Sequence, residues 1–345
     1  VKKLVVLLLF VALVVVFLGV RSRLSARADP PKPLNFGVNT SYDLSNIPAD
    51  VANNLVRNIT KMNACNGTSC SGGSLVLRVD PGSMGRSQDI FNKILADAKQ
   101  YNVTVTLQTL GKPDPVAISN FLNTGINSSG IRTVGLVIEN EVNSTADTNF
   151  GGTPRDYLYY ANSVLLTVNN SQNGSKIVGM LSNTNISNPG VNAITTANFF
   201  KAMKDADPVA FDSLMKNIKG WAESAYPIPP ANCKQPCSFD AGVLSYKTSF
   251  DILSSLGYNL YANPNMKVYV IETGLQNDPN WAQYGKTQLD FIKKFLGTWQ
   301  SDPRIIAVNF FNGMGINPDP RWAFFPIGDP SGNFSQELLA LLNSV

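Results

Sequence analysis

No histidine occurs anywhere in the 345 residues. Its absence removes Ser-His-Asp and Cys-His nucleophile activation, HExxH zinc sites and every imidazole acid or base. An enzyme built from this chain would do its proton chemistry with carboxylates. Charge is also sparse, at 15% Asp, Glu, Lys and Arg, and the positive excess sits at one end. Lys2, Lys3, Arg21, Arg23 and Arg27 account for it, and the rest of the chain carries 23 basic against 24 acidic residues. So neutral a body has no electrostatic footprint for nucleic acid, and no such partner is expected. Phosphate-binding loops are missing too: Asn35 to Tyr42 reads NFGVNTSY, neither a GxGxxG fingerprint nor a P-loop. No cofactor is expected. Cysteine is confined to two close pairs, Cys65 with Cys70 and Cys233 with Cys237. Four thiolates at that spacing could hold zinc, but behind an export signal two local disulfides are the expected arrangement, and no metal site is expected.

That export signal is the first thing the sequence does contain. Lys2 and Lys3 precede an apolar run from Leu4 to Val20, and small residues follow at Ala26 and Ala28. Residues 1–28 read as a signal peptide cleaved after Ala28 or as an uncleaved signal anchor, the run being long for the one and short for the other. Membrane contact is expected only through that segment. The remainder, 29–345, is expected outside the cell, secreted or anchored at the surface, as a monomer. Ten N-x-[ST] sequons fit exposure to a glycosylation machinery: Asn39, Asn58, Asn66, Asn102, Asn127, Asn143, Asn169, Asn173, Asn185 and Asn333. A chain rich in Asn, Ser and Thr supplies several by chance, and Asn39 and Asn143 fall where a site is expected.

From Pro33 onward short β-branched runs alternate with amphipathic stretches of helical length, without a linker or low-complexity tract. The runs are 35–39, 75–79, 103–108, 134–139, 176–181, 218–223, 268–271 and 305–310. Between them lie helical patterns such as 49–62, 88–101, 154–168, 239–256 and 281–299. Repeated β/α units imply an α/β protein with a parallel sheet, and eight of them match a single-domain (β/α)8 TIM barrel. A doubly wound open sheet shows the same alternation, but the missing phosphate loop speaks against it.

A barrel concentrates function at the C-terminal ends of its strands. Strand two ends in LVLRVD, with Arg78 and Asp80, and strand four in LVIENEVN, with Glu139, Asn140, Glu141 and Asn143. Strand six gives Glu223 and Tyr226 from WAESAYP, strand seven Glu272 from VYVIETG, and strand eight Phe310, Phe311 and Asn312 from VNFFNG. Glu141 and Glu272 each close a strongly β-forming run, where a carboxylate is costly unless paired or solvated. Two such ends facing one barrel mouth suggest a catalytic pair. Retaining glycosidases use two carboxyls about 5 to 5.5 Å apart, one protonating the leaving oxygen and one attacking the anomeric carbon.

NEV at Asn140 to Val142 and ETG at Glu272 to Gly274, each after a β run, resemble the clan A glycoside hydrolases, and AYP at Ala225 to Pro227 adds a likeness to family 17, the β-1,3-glucanases. The resemblance implies a retaining (β/α)8 enzyme with Glu141 as acid/base and Glu272 as nucleophile. It further implies Asn140 on the sugar 2-hydroxyl, Tyr226 hydrogen-bonded to the nucleophile, and Arg78 beside it. An arginine there favours the ionised nucleophile, whose charge favours a proton on its partner. Leu275 stands where the family has Trp, Glu139 where it has Gly, and Phe310 and Phe311 where many clan members place Trp. Glu139 is expected to support its neighbours by a hydrogen bond or ion pair, and Arg78 has a structural alternative in Asp80. Tyr42, Trp281 and Trp322, in loops after strands, are candidates to stack on sugar rings, whereas Trp221 is expected to be packing. The function expected is a retaining β-glycoside hydrolase acting on a β-glucan or related polysaccharide. The alternative is a non-catalytic glycan-binding or surface glycoprotein on the same barrel.

Overall fold

Eight parallel strands form in the computed structural model, which describes residues 34–47, 49–63, 72–143, 150–184, 194–226, 242–274, 288–311 and 336–343. The N-terminal segment, the four cysteines, Trp281, Trp322 and the sequons at Asn66, Asn185 and Asn333 lie outside the described residues, as does the side chain of Tyr42. The strands are β1 (Asn35–Asp43), β2 (Ser74–Val79), β3 (Thr104–Thr109), β4 (Val134–Ile138), β5 (Ile177–Thr184), β6 (Gly220–Ser224), β7 (Lys267–Thr273) and β8 (Ile305–Phe311). Each pairs with its sequence neighbours, and β1 pairs with β8, closing the barrel.

Around it the described helices are α1 (Ala49–Ile59), α2 (Met84–Tyr101), α3 (Pro115–Ser129), α4 (Pro154–Asn169), α5 (Thr196–Ala206), α6 (Pro208–Asn217), α7 (Tyr246–Ser255), α8 (Gln288–Gln300) and α9 (Gln336–Asn343). Three of them start alike. Asp114, Thr153 and Asp207 accept hydrogen bonds from the first-turn amides, and Pro115, Pro154 and Pro208 follow at the first helical position, where a missing N–H costs nothing.

The period of two along each strand sorts side chains into two layers. Leu75, Leu77 and Val79 of β2 and Val105 and Leu107 of β3 point toward the helices, into a core shared with Phe91, Phe250, Phe295 and Trp299. Trp221 belongs to this layer, packed between Phe200 and Phe250 as expected. Val76, Val137, Met180, Ala222, Tyr269, Ile271 and Ala307 fill the barrel interior. The interior is tight: a Cβ on Gly135 would stand 2.6 Å from Thr106 Oγ1 and 2.9 Å from Met180 Cε.

The strand ends differ from the expected ranges at several places, and those of β1 and β4 bear on the site. β1 runs on to Asp43 through a register shift after Asn39, and the Asp43 carboxylate anchors it by accepting from Ser45 N, Asp80 N and Ser83 Oγ. β4 stops at Ile138, one residue short of expectation, because Glu139 takes a left-handed φ of 66°.

Candidate active site

The inward series of the strands continues upward into polar residues. Ser74 and Val76 lead to Arg78 on β2, and Thr104 and Thr106 lead to Gln108 on β3. On β7 the same logic would turn Glu272 toward the helices, since Tyr269 and Ile271 face inward. A bulge prevents that. Pairing with β6 advances from Glu223↔Val270 to Ser224↔Glu272, which gives β7 one extra residue and re-aims Glu272 across the barrel mouth.

There Glu272, 3% exposed, meets three donors, from β1, from β2 and from the segment just after β6. The Arg78 guanidinium forms an ion pair with Oε1. Asn39 Nδ2 donates to the same oxygen at 3.2 Å and to the Ile271 carbonyl at 3.1 Å. The Tyr226 hydroxyl donates to Oε2 at 3.1 Å. Burial first, then the charges of Glu272 and Glu141, push the Tyr226 phenol well above its ordinary range, with Arg78 pulling the other way. Tyr226 therefore stays a neutral donor on which both carboxylates bear.

From Arg78 a relay leads to the end of β4. Arg78 Nε donates to Gln108 Oε1 at 3.0 Å, and Gln108 Nε2 donates to Asn140 Oδ1 at 2.8 Å. Asn140 and Glu141 are both buried, and Glu141 is placed by its own N–H, which donates to Ser182 Oγ of β5 at 3.1 Å. Phe311 completes the mouth: it lies under the Arg78 guanidinium, 5.5 Å from the ring centroid, and meets the Tyr226 ring edge-on.

The structure thus brings Arg78, Asn140, Tyr226 and Glu272 into one bonded set, and Glu141 follows Asn140 in the chain. Arg78 pairs with Glu272, while the Asp80 carboxylate accepts from Ser83 N and caps the following turn. Glu223 is not part of the set. It falls on the same face of β6 as Trp221, accepts from Trp221 Nε1 at 2.7 Å and from Ser249 Oγ of α7 at 3.5 Å, and so stands between sheet and helices. Phe310 likewise turns outward, stacked on Phe36 and against Trp299, so that of the two phenylalanines Phe311 is the one in the mouth. Asn143 is buried and donates to Thr196 Oγ1 at 3.3 Å, tying the β4 loop to α5. Sequence reasoning did not single out Gln108, Ser182 or the bonding role of Asn39. The signal for Gln108 is the period of two in TVTLQT, which puts it on the same inward face as Thr104 and Thr106. Among the described residues no group of three or more His, Cys, Asp or Glu is arranged to hold a metal ion.

Among solved structures the chain is similar to a fungal β-1,4-galactanase, at 14% identity and a TM-score of 0.57 over 91% of this chain and 100% of that one. It is also similar to a glucosidase from Croceicoccus marinus, at 9% identity and a TM-score of 0.56 over 90% of this chain and 67% of that one. No protein-family model matches the sequence, and no curated protein matches it. At these identities the likeness is one of fold: the chain is a (β/α)8 barrel, as its own strand pairing shows.

Proposed function

We propose that the chain is a retaining β-glycoside hydrolase of the clan A type, with Glu272 as nucleophile and Glu141 as acid/base. The observation that carries this reading is the convergence of Arg78, Asn39 and Tyr226 on one buried carboxylate at the barrel mouth. Such a set balances its charge and fixes both oxygens, as attack on an anomeric carbon requires. In the first half-reaction Glu272 attacks that carbon while a protonated Glu141 gives its proton to the departing glycosidic oxygen. In the second, Glu141 takes a proton from water, whose oxygen displaces Glu272. In this reading Asn140, whose Oδ1 accepts from Gln108 Nε2, takes the sugar 2-hydroxyl, and Phe311, with the Arg78 guanidinium over its ring, is the aromatic assigned to pack on a sugar ring.

Two considerations bear on the substrate. The NEV, ETG and AYP motifs resemble family 17 and favour a β-1,3-glucan, whereas a fold neighbour is by name a β-1,4-galactanase. The decisive experiment is hydrolysis of β-1,3-, β-1,4- and mixed-linked glucans, β-1,4-galactan and mannan by the native chain, Glu141→Gln and Glu272→Gln. One polysaccharide is expected to release reducing ends with retained anomeric configuration, and Glu272→Gln to lose at least about 1000-fold in kcat. Inertness of the native chain on the whole panel, or unchanged turnover in both variants, would sink the assignment, and binding without turnover would favour the glycan-binding alternative.

Export belongs to the same proposal. It rests on the sequence of residues 1–28, and no described helix is long and apolar enough to cross a membrane. Activity confined to the cell interior in a fractionated culture would contradict it. A monomer is proposed on the same footing, and its mass in solution tests it.

A further inference from the structure

The end of β4 holds two non-glycine residues in the left-handed region, Glu139 at φ 66° and Glu141 at φ 38°. Such residues persist only where surrounding contacts over-determine them. The loop between β3 and α3 faces them with the same feature at Gly111, φ 72°, and Lys112, φ 56°. Consecutive amides presented by a turn of this kind form a cradle for an anion. The anion here is the Glu139 carboxylate. Gly111 N–H donates to Oε2 and Lys112 N–H to Oε1, each at 2.9 Å, while the Glu139 N–H donates to Thr109 Oγ1 at 3.1 Å.

The carboxylate is fully buried. The Lys112 charge bears on it from the loop, and the Tyr160 and Tyr157 hydroxyls lie near it from α4, Tyr160 donating to the Pro113 carbonyl at 2.9 Å. Burial dominates and raises the group to about 7, against the pull of the two amides, Lys112 and Tyr160.

We propose that Glu139 is a positioning residue: its carboxylate clamps the β3–α3 loop to the end of β4 and so holds the left-handed turn that presents Asn140 and Glu141 at the barrel mouth. The catalytic benefit of the clamp rests on the glycosidase reading above, whereas its existence does not. A carboxylate is needed because both of its oxygens accept. A glutamine would turn an NH2 group toward one of the two N–H donors.

The test uses the full chain with 15N-labelled backbone, as native protein, Glu139→Gln and Glu139→Gly. Glycine adopts φ 66° without steric cost, so the glycine variant keeps the turn accessible while removing the clamp. In the native chain the Gly111 and Lys112 amide resonances are expected to shift together through one step near pH 7, a step lost in both variants. Hydrogen exchange at the Glu141 amide, bonded to Ser182, is expected to accelerate about tenfold or more in both. Absence of the step in the native chain overturns the proposal, and so does Glu141 exchange within about twofold of native in the glycine variant. Where the native chain hydrolyses a glycan of the panel, both variants are expected to lose about 10- to 100-fold in kcat with KM nearly unchanged. An unchanged kcat also overturns it. If the native chain hydrolyses nothing, the glycosidase reading fails, and the amide measurements still decide on the clamp.

Discussion

At Glu272 each of the three donors does a different job, and substitution separates them. Tyr226 supplies a neutral hydrogen bond, so Tyr226→Phe is expected to lower kcat about 10- to 100-fold and to move folding stability by no more than about 1 kcal/mol. Arg78 supplies the opposite charge in a pair whose side chains are 12% and 4% exposed. Arg78→Leu leaves the Glu272 charge without its partner and also breaks the relay through Gln108. The expected loss is about 3 kcal/mol or more in denaturant unfolding, together with a deeper loss of turnover than Tyr226→Phe causes. Stability unchanged in Arg78→Leu would mean that the ion pair is not the contact holding this mouth together. Arg78 and Glu272 were legible in the sequence because each is a charged residue closing an apolar run, and Tyr226 through the AYP likeness. Gln108 and Asn39 were not, since an amide within a run already rich in Thr or Asn offers no contrast, and only the bonds it makes distinguish it.

Among the elements, β4 and β7 decide the site, and neither does so by regular strand geometry. In β7 the extra residue at the bulge turns Glu272 inward, and in β4 the left-handed Glu139 ends the strand early. The second feature has a pH signature. The folded chain holds the Glu139 proton more tightly than an ordinary glutamate, at about 7 against 4.5, so between those values the folded state binds more protons than the unfolded state. This contribution to stability is present in full below about 4.5, is lost as the pH rises to about 7, and is flat above it, for a total on the order of 3 kcal/mol. Unfolding free energies measured across that window are expected to show the decline in the native chain and to lack it in Glu139→Gln. Elsewhere the elements follow ordinary rules. A Cβ on Gly37 would stand 1.6 Å from the Ser74 carbonyl oxygen, so Gly37→Ala forces β1 away from β2 and is expected to abolish the cooperative thermal transition. Thr153→Ala removes the capping box of α4 and is expected to cost only about 1 kcal/mol.

For the molecule as a whole, closure of the barrel sorts the sequons, of which the sequence had set apart only Asn39 and Asn143. Asn39 and Asn143 are buried in and beside the mouth, and both donate their side-chain amides. Asn173 is buried, with Nδ2 donating to Asn123 and Asn127, and Asn58 is buried on α1. Asn102 and Asn127 are exposed, one ending α2 and the other in the last turn of α3. A glycan added before folding at a buried position blocks the packing it must join, so folded, secreted protein carries none there. Expression in a eukaryotic secretory host followed by peptide mapping is expected to find glycans at Asn102 and Asn127 and unmodified Asn39, Asn58, Asn143 and Asn173. Occupancy at Asn39 in folded material would contradict the bond between Asn39 and Glu272.

The sequence by itself determined the barrel. Eight β-branched runs separated by helical patterns, in a chain with no phosphate loop, leave few ways to bury every apolar face, and the strands form where those runs lie. It also fixed the chemistry open to the chain, because without histidine only carboxylates are left as ready acids and bases. Tertiary structure decided which of the polar strand ends meet. Glu223 and Glu272 close similar runs, yet one packs against Trp221 under a helix and the other faces Arg78 across the mouth. The difference is a single bulge, and a bulge is set by the register between neighbouring strands, which are distant in sequence. Glu139 and Glu141 are separated in the same way, by backbone angles that a loop from another β/α unit holds in place.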